Sequence, residues 1–384
     1  MPRLTRDQHL FGAGPKRILA LDGGGIRGMF SLQILHKIEA IVRQRMGDDT
    51  ACLADYFDLI GGTSTGSVIA SGLALGWSVS KLDELYRDLG DVIFQQDLLR
   101  HGVVRAKFSA KPLRQVLKRE FGDITLGDDA IRTGLAIMTK RLDTGSPWIV
   151  FNNPKGLFFN EIPDSDDIPN RDYLLRQIIR ASTAAPHFFE PERVAISEDV
   201  EGAFVDGGVS PHNNPAMQLF LLATLDGYKL NWPMGPDNLL VVSVGTGFKA
   251  LRLSTEKVMK MKSAELALQS LQSLMDDASH YNELLLQMFS QSPTAREIDM
   301  EVGTAANSNL QPWLTYLRYD AALEREWIKE KLGITAVEEQ VQELLAMDNP
   351  DKIETFARLG KRTAETLVKA DHFPSSFDIE PVTP

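Results

Sequence analysis

Cysteine is almost missing from this 384-residue chain, where Cys52 stands alone. An intrachain disulfide is excluded, and no second thiolate is at hand for a metal site. Cys52 beside Leu53 reads as a small buried apolar residue and suits a reducing compartment. Positive charge is also short: 41 Lys and Arg face 52 Asp and Glu, a formal net charge of −11. That excludes non-specific binding to a nucleic-acid polymer, which needs a basic surface. It equally excludes a purely electrostatic hold on anionic lipid. No apolar run approaches the length of a membrane span; the longest, near residues 219–225, suits a core helix. Residues 1–8 carry no apolar h-region, so no secretory leader is expected. These absences together predict a cytoplasmic chain. Repeats, low-complexity tracts and a Pro/Gly/Ser linker are missing as well, so the two halves are expected to pack together.

What is present suffices for a large core, because 43% of residues are hydrophobic. The length allows one large domain or two ordinary ones. Residues 1–16 read as a loose arm. Residues 17–21 form a buried strand candidate, and a helical apolar stripe follows from Met29 to Val42. Strand patterns recur at 57–61, 130–141, 148–152, 203–205 and 239–244. Helical patterns recur at 80–89, 111–121, 173–179 and 214–225, the last with Pro215 in its first turn. Alternating strands and helices predict an α/β fold with a mostly parallel central sheet over residues 17–247. Residues 248–384 are mainly helical, with long helices at 254–288, 336–347 and 352–370. Strand-like alternation lies between them at 297–302 and 313–319.

Gly62-Thr63-Ser64-Thr65-Gly66 is a G-x-S-x-G pentapeptide between a strand candidate and a helix candidate. That setting holds a serine hydroxyl clear of the backbone for attack, and the glycines permit the close approaches of a sharp elbow. A plain Gly/Ser turn is the alternative. A serine nucleophile needs a base, often a histidine. The chain has seven histidines, and none sits in a Gly-rich catalytic turn. His280 falls in a long helix, His372 near a tail, and His212 just after Asp206-Gly207-Gly208. Asp206 is the stronger candidate, because it ends a short apolar strand, where α/β proteins place active sites. Taken alone, it could equally make only an Asp-Gly turn hydrogen bond.

A second glycine loop, Asp22-Gly23-Gly24-Gly25-Ile26-Arg27-Gly28, links the first strand to the first long helix. Its backbone N–H groups are placed to stabilise an oxyanion. Arg27 either orients the loop, holds an anionic head group, or lies on the surface. Gly23, Gly25 and Gly28 also match G-x-G-x-x-G, a dinucleotide fingerprint. That reading requires an acidic residue ending a second strand about 20 residues on. The stretch is helical here, and Asp48-Asp49 falls after the helix.

The loop, the elbow and Asp206-Gly207-Gly208, together with Arg180-Ala181-Ser182-Thr183-Ala184-Ala185-Pro186 and Asn213-Asn214-Pro215, closely resemble the patatin-like phospholipase family over residues 17–247. The resemblance implies a three-layer α/β/α fold. It implies a Ser–Asp dyad that hydrolyses lipid acyl esters without histidine, metal or organic cofactor. Ser64 matches the nucleophile, Asp206 the base, and Gly24 and Gly25 the oxyanion-hole glycines; Gly23, Arg27, Gly28, Gly62, Gly66, Gly207 and Gly208 support the motifs. A phospholipid membrane surface is the implied partner, met peripherally, with residues 92–108 the expected contact loop. Some bacterial members resembling this chain are switched on by cyclic oligonucleotides in antiphage defence. The C-terminal region is therefore expected to house such a regulatory surface, to cover the core, or to mediate homo-oligomerisation. The alternatives are a Ser-His-Asp esterase using His212 or His280, and a non-catalytic nucleotide-binding module.

Overall fold

The computed structural model describes residues 3–93, 108–248, 253–307, 309–335 and 352–379. Most of the expected contact loop, and the expected helix at 336–347, lie outside the described residues. One sheet runs through the described core. Its central strand β1 (Lys16–Leu21) is parallel to β2 (Leu59–Thr63) on one side and to β7 (Leu239–Val244) on the other. Beyond β2 come β3 (Gly134–Arg141), β6 (Glu201–Asp206) and β5 (Glu192–Ala195), with β4 (Ser146–Phe151) paired to β3. Beyond β7 come β9 (Leu314–Tyr319) and β8 (Ser290–Gln291), all parallel.

Side chains alternate between the two faces of a strand, and the cores follow that period. Leu19, Leu21, Ile60, Val242 and Leu317 share one core with α2 (Gly28–Met46), α3 (Thr65–Ala74) and α4 (Val79–Ile93). The same core takes in α5 (Ala110–Phe121) and α6 (Leu175–Ser182). Ile18, Ala20, Leu59, Val241 and Tyr316 face the opposite core, covered by α7 (Ala216–Thr224). Helices on both faces of a mostly parallel sheet make the expected three-layer arrangement.

The edge of β3 decides where the site forms. β2 pairs along it in parallel as far as Thr63 opposite Met138. β6 pairs antiparallel with the next residues, placing Asp206 opposite Thr139. Because β4 pairs both Met138 and Thr139 on the other edge, β2 and β6 share one edge and meet head-on. The residue after Thr63 and the last residue of β6 are therefore neighbours, although 142 positions apart in sequence.

Three expectations change. The arm at 1–16 contains a helix, α1 (Arg6–Phe11), started by a capping box between Thr5 and Gln8. It is pinned by buried Leu10, whose carbonyl accepts from Trp232 Nε1 at 2.8 Å. The single helix expected at 254–288 is two, α8 (Thr255–Met259) and α9 (Ser263–Met288), because Lys262 is extended. Residues 297–302 form no strand; the Asp299 carboxylate accepts from the N–H groups of Glu301 and Val302 and folds the segment into a turn. The sheet also continues past residue 247 through β9. Beyond it, α10 (Arg325–Leu332) and α11 (Ile353–Leu367) follow, and α11 packs on α2.

Candidate active site

Ser64 joins β2 to α3 with φ 53° and ψ −123°. A non-glycine residue held at positive φ is strained, and such strain persists only where surrounding structure enforces it. Here the enforcement is visible. A Cβ on Gly62 would meet the Gly66 carbonyl at 2.1 Å, and one on Gly66 would meet the Leu21 carbonyl at 2.3 Å. The Ser64 carbonyl accepts from Ser67 N–H at 2.9 Å and Ser67 Oγ at 2.6 Å. The Ser64 N–H donates to Ser182 Oγ at 2.9 Å, and that hydroxyl donates onward to the Met138 carbonyl at 2.7 Å. Both backbone polar groups of Ser64 thus have partners.

The Ser64 hydroxyl donates to Asp206 Oδ2 at 2.6 Å. The other oxygen, Oδ1, accepts from Gly208 N–H at 2.7 Å. The turn hydrogen bond that might have explained Asp206 away is present, and it occupies one oxygen while the serine takes the other. Asp206 is 5% exposed. Burial raises its pKa from 3.8 to about 6, against the pull of the Ser64 hydroxyl, the Gly208 N–H and the Arg180 guanidinium. Among the described residues, no histidine ring hydrogen-bonds to Ser64. His212 contributes its backbone carbonyl to Thr63 Oγ1 at 2.5 Å, and His280 lies edge-on to the Phe248 ring.

The glycine loop faces the same serine. Gly25 has φ +60°, and its carbonyl accepts from Tyr86 Oη at 2.5 Å. Gly23 is tied by its N–H to the Asn213 carbonyl at 3.1 Å and by its carbonyl to Thr246 Oγ1 at 3.0 Å. Among the described residues, the Gly24 and Gly25 N–H groups have no such acceptor. Arg27 orients the loop, donating from Nη1 to the Gly247 carbonyl at 2.9 Å and from Nε to the Gly24 carbonyl at 3.4 Å. Gly23, Gly24, Gly25, Arg27, Ser64 and Asp206 all line one cavity of about 220 Å³, whose remaining wall is mainly apolar.

The model of the family described as patatin-like phospholipase matches residues 19–220. The chain belongs to the patatin-like phospholipase family. Similar curated proteins include a cGAMP-activated phospholipase of Escherichia coli (strain TW11681), 30% identical over 64% of this chain and 66% of that one. A cGAMP-activated phospholipase of Vibrio cholerae is 32% identical over 56% of this chain and 59% of its own. A cUMP-AMP-activated phospholipase of Escherichia coli is 28% identical over 74% and 81%. The chain thus spans about two thirds or less of the length of the first two relatives.

The patatin-like site has two supports whose roles sequence reading did not assign. Ser182, within the 180–186 stretch, is one. The other is Arg318 on β9, which donates to both Asp22 oxygens at 3.0 and 2.7 Å and to Asp320 Oδ2 at 2.6 Å. Asp320 Oδ1 in turn accepts from Gly247 N–H at 2.8 Å. This buried cluster holds the start of the glycine loop from behind. Next to it lies a second, polar cavity of about 320 Å³, which shares Gly23, Arg27, Gln272 and Asp276 with the first. No group of three or more His, Cys, Asp and Glu suited to a metal occurs among the described residues.

Proposed function

We propose that the chain is a serine acyl hydrolase that cleaves acyl esters of glycerophospholipids through a Ser64–Asp206 dyad. The observation that carries this is the 2.6 Å hydrogen bond from the Ser64 hydroxyl to a buried carboxylate at the floor of an apolar cavity. Ser64 Oγ attacks the ester carbonyl carbon and its proton passes to Asp206. The Gly24 and Gly25 N–H groups hold the oxyanion. The intermediate collapses, the alcohol leaves with the proton from Asp206, and the acyl group remains on Ser64 as an ester. A water molecule, deprotonated by Asp206, attacks that ester, and the fatty acid is released as Asp206 returns the proton to Ser64 Oγ. An ordinary aspartate is too weak a base for the task, and burial brings Asp206 nearer to working pH.

A second reading concerns control. Three relatives carry names that state activation by a cyclic dinucleotide. The polar cavity beside the glycine loop supports the same control here, because a ligand in it would contact Gly23 and Arg27 directly. No helix among the described residues is long and apolar enough to cross a membrane, so contact with the bilayer is peripheral in this proposal.

The test is incubation with defined phospholipid vesicles across pH, with and without cyclic dinucleotides, and mass spectrometry of the products. Free fatty acid and lysophospholipid are expected. The rate should fall about tenfold per pH unit below about pH 6, as Asp206 protonates. Rates that stay flat down to pH 4, or no lipid cleavage under any condition, would contradict the dyad.

A further inference from the structure

A helix of 26 residues packed by only its last turns is the least explained element of the fold. Within α9 the buried side chains are Asn282, Glu283, Leu286 and Gln287. This end is anchored: Asn282 donates to the Pro211 carbonyl at 2.7 Å, and Glu283 forms a two-pronged ion pair with Arg296 at 2.5 and 2.6 Å. Nothing among the described residues buries a side chain of α9 before that point. Yet the projecting part is not polar. Leu268, Leu271 and Met275 form the outer wall of the cavity above Ser64. Leu274 is 65% exposed and Tyr281 60% exposed. With 3.6 residues per turn, Leu274 stands beside Leu271, so the apolar face runs from the cavity wall to the outer surface of the molecule. Tyr281 lies two turns beyond Leu274, with Asp277 and Ala278 between them. Just before it, Met259 is 80% exposed on α8.

Charge supplies the second observation. Lys257, Lys260 and Lys262 are exposed within six residues, in a chain whose net charge is −11. Glu256 and Glu265 flank them and Asp276 and Asp277 follow on α9, so the positive charge is concentrated at the α8 end of the face. Large apolar side chains next to lysines on an exposed helix are the composition of interfacial helices. Lysine stems also reach the head-group layer while their alkyl parts lie on lipid.

We propose that α8 and the projecting part of α9 are the surface by which the protein docks on an anionic bilayer, with Leu268 and Leu271, which line the cavity, at the border where a lipid passes from the membrane into it. The proposal rests on the acyl-hydrolase reading for its purpose, but the docking itself is independent of catalysis. The 92–108 loop expected from sequence is not needed for it.

The experiment is co-sedimentation of the full chain with vesicles of phosphatidylcholine alone or mixed with phosphatidylglycerol. Turnover of a soluble nitrophenyl butyrate ester is measured in parallel. Met259→Glu combined with Leu274→Glu should weaken vesicle binding about tenfold or more, with the soluble ester cleaved as before. Replacing Lys257, Lys260 and Lys262 together by Gln should abolish the preference for phosphatidylglycerol while leaving the apolar contribution in place. All five positions are exposed and outside the cavity, and an unchanged thermal midpoint confirms the fold. Wild-type-like sedimentation of the Glu variant would overturn the proposal. So would a change from dimer to monomer with vesicle binding intact, which would assign the face to a second copy of the chain. A wild-type chain that binds vesicles but leaves the soluble ester untouched would refute the hydrolase reading and leave the docking surface standing.

Discussion

Asp206→Asn is expected to cut lipid turnover by about 10³-fold or more and, at the same time, to make the folded protein more stable at neutral pH. Both effects follow from one carboxylate. An amide cannot take the Ser64 proton, so attack and deacylation both lose their base. The stability effect has a definite sign. Folding raises the Asp206 pKa from 3.8 to about 6, so its stabilising contribution is present below the unfolded value and lost as pH rises through about 6. At pH 7 to 8 the buried charge is a liability on the order of 1–3 kcal/mol, which the Asn side chain removes while its carbonyl still accepts from Gly208. Denaturant unfolding should therefore show the variant ahead of the wild type at pH 7.5 and the gap closing toward pH 4. A variant that is less stable at pH 7.5, or that turns over at a substantial fraction of the wild-type rate, would mean that Asp206 serves the turn and not the serine.

Arg318→Leu is expected to cost about 3–5 kcal/mol of stability. The guanidinium is the shared partner of Asp22 and Asp320, and all three side chains are 7% exposed or less. Removing it leaves two buried carboxylates without their shared ion-pair partner. Loss should extend to activity, because Asp22 is the first residue of the loop whose Gly24 and Gly25 amides are assigned to the oxyanion. Replacing Asp22 and Asp320 by Asn in the Arg318→Leu background should recover much of the stability, since the uncompensated charges are then gone. Urea unfolding of the three chains measures this. A single-variant cost below about 1 kcal/mol, or no recovery in the triple variant, would remove the cluster from its supporting role.

The parts of this site that could be read from sequence are those built from neighbours in the chain. Strand, glycine turn and helix follow one another at residues 17–42 and again at 57–74, and local pattern carries both. Asp206 was visible because it ends an apolar strand and is followed by two glycines. What local pattern could not carry is pairing across distance. That β2 and β6 meet on one edge of β3 depends on register, which the sequence of either strand leaves open. Arg318 clamps a residue 296 positions away, and Ser182 supports Ser64 from 118 positions away. The one available sign was an arginine inside an otherwise apolar strand at 314–319. Residues 297–302 misled because acidic and apolar residues alternate there, yet Asp299 bonds its own following amides and competes with any ladder. The break between α8 and α9 escaped because no proline or glycine marks it.

The most direct measurement is fluorophosphonate labelling of the intact chain followed by peptide mass spectrometry, with and without the Asp206→Asn substitution. The Ser64 hydroxyl donates to Asp206, so the account predicts one covalent adduct, on Ser64, strongly slowed in the variant. An unlabelled Ser64, or labelling that proceeds equally fast when Asp206 is Asn, would contradict it.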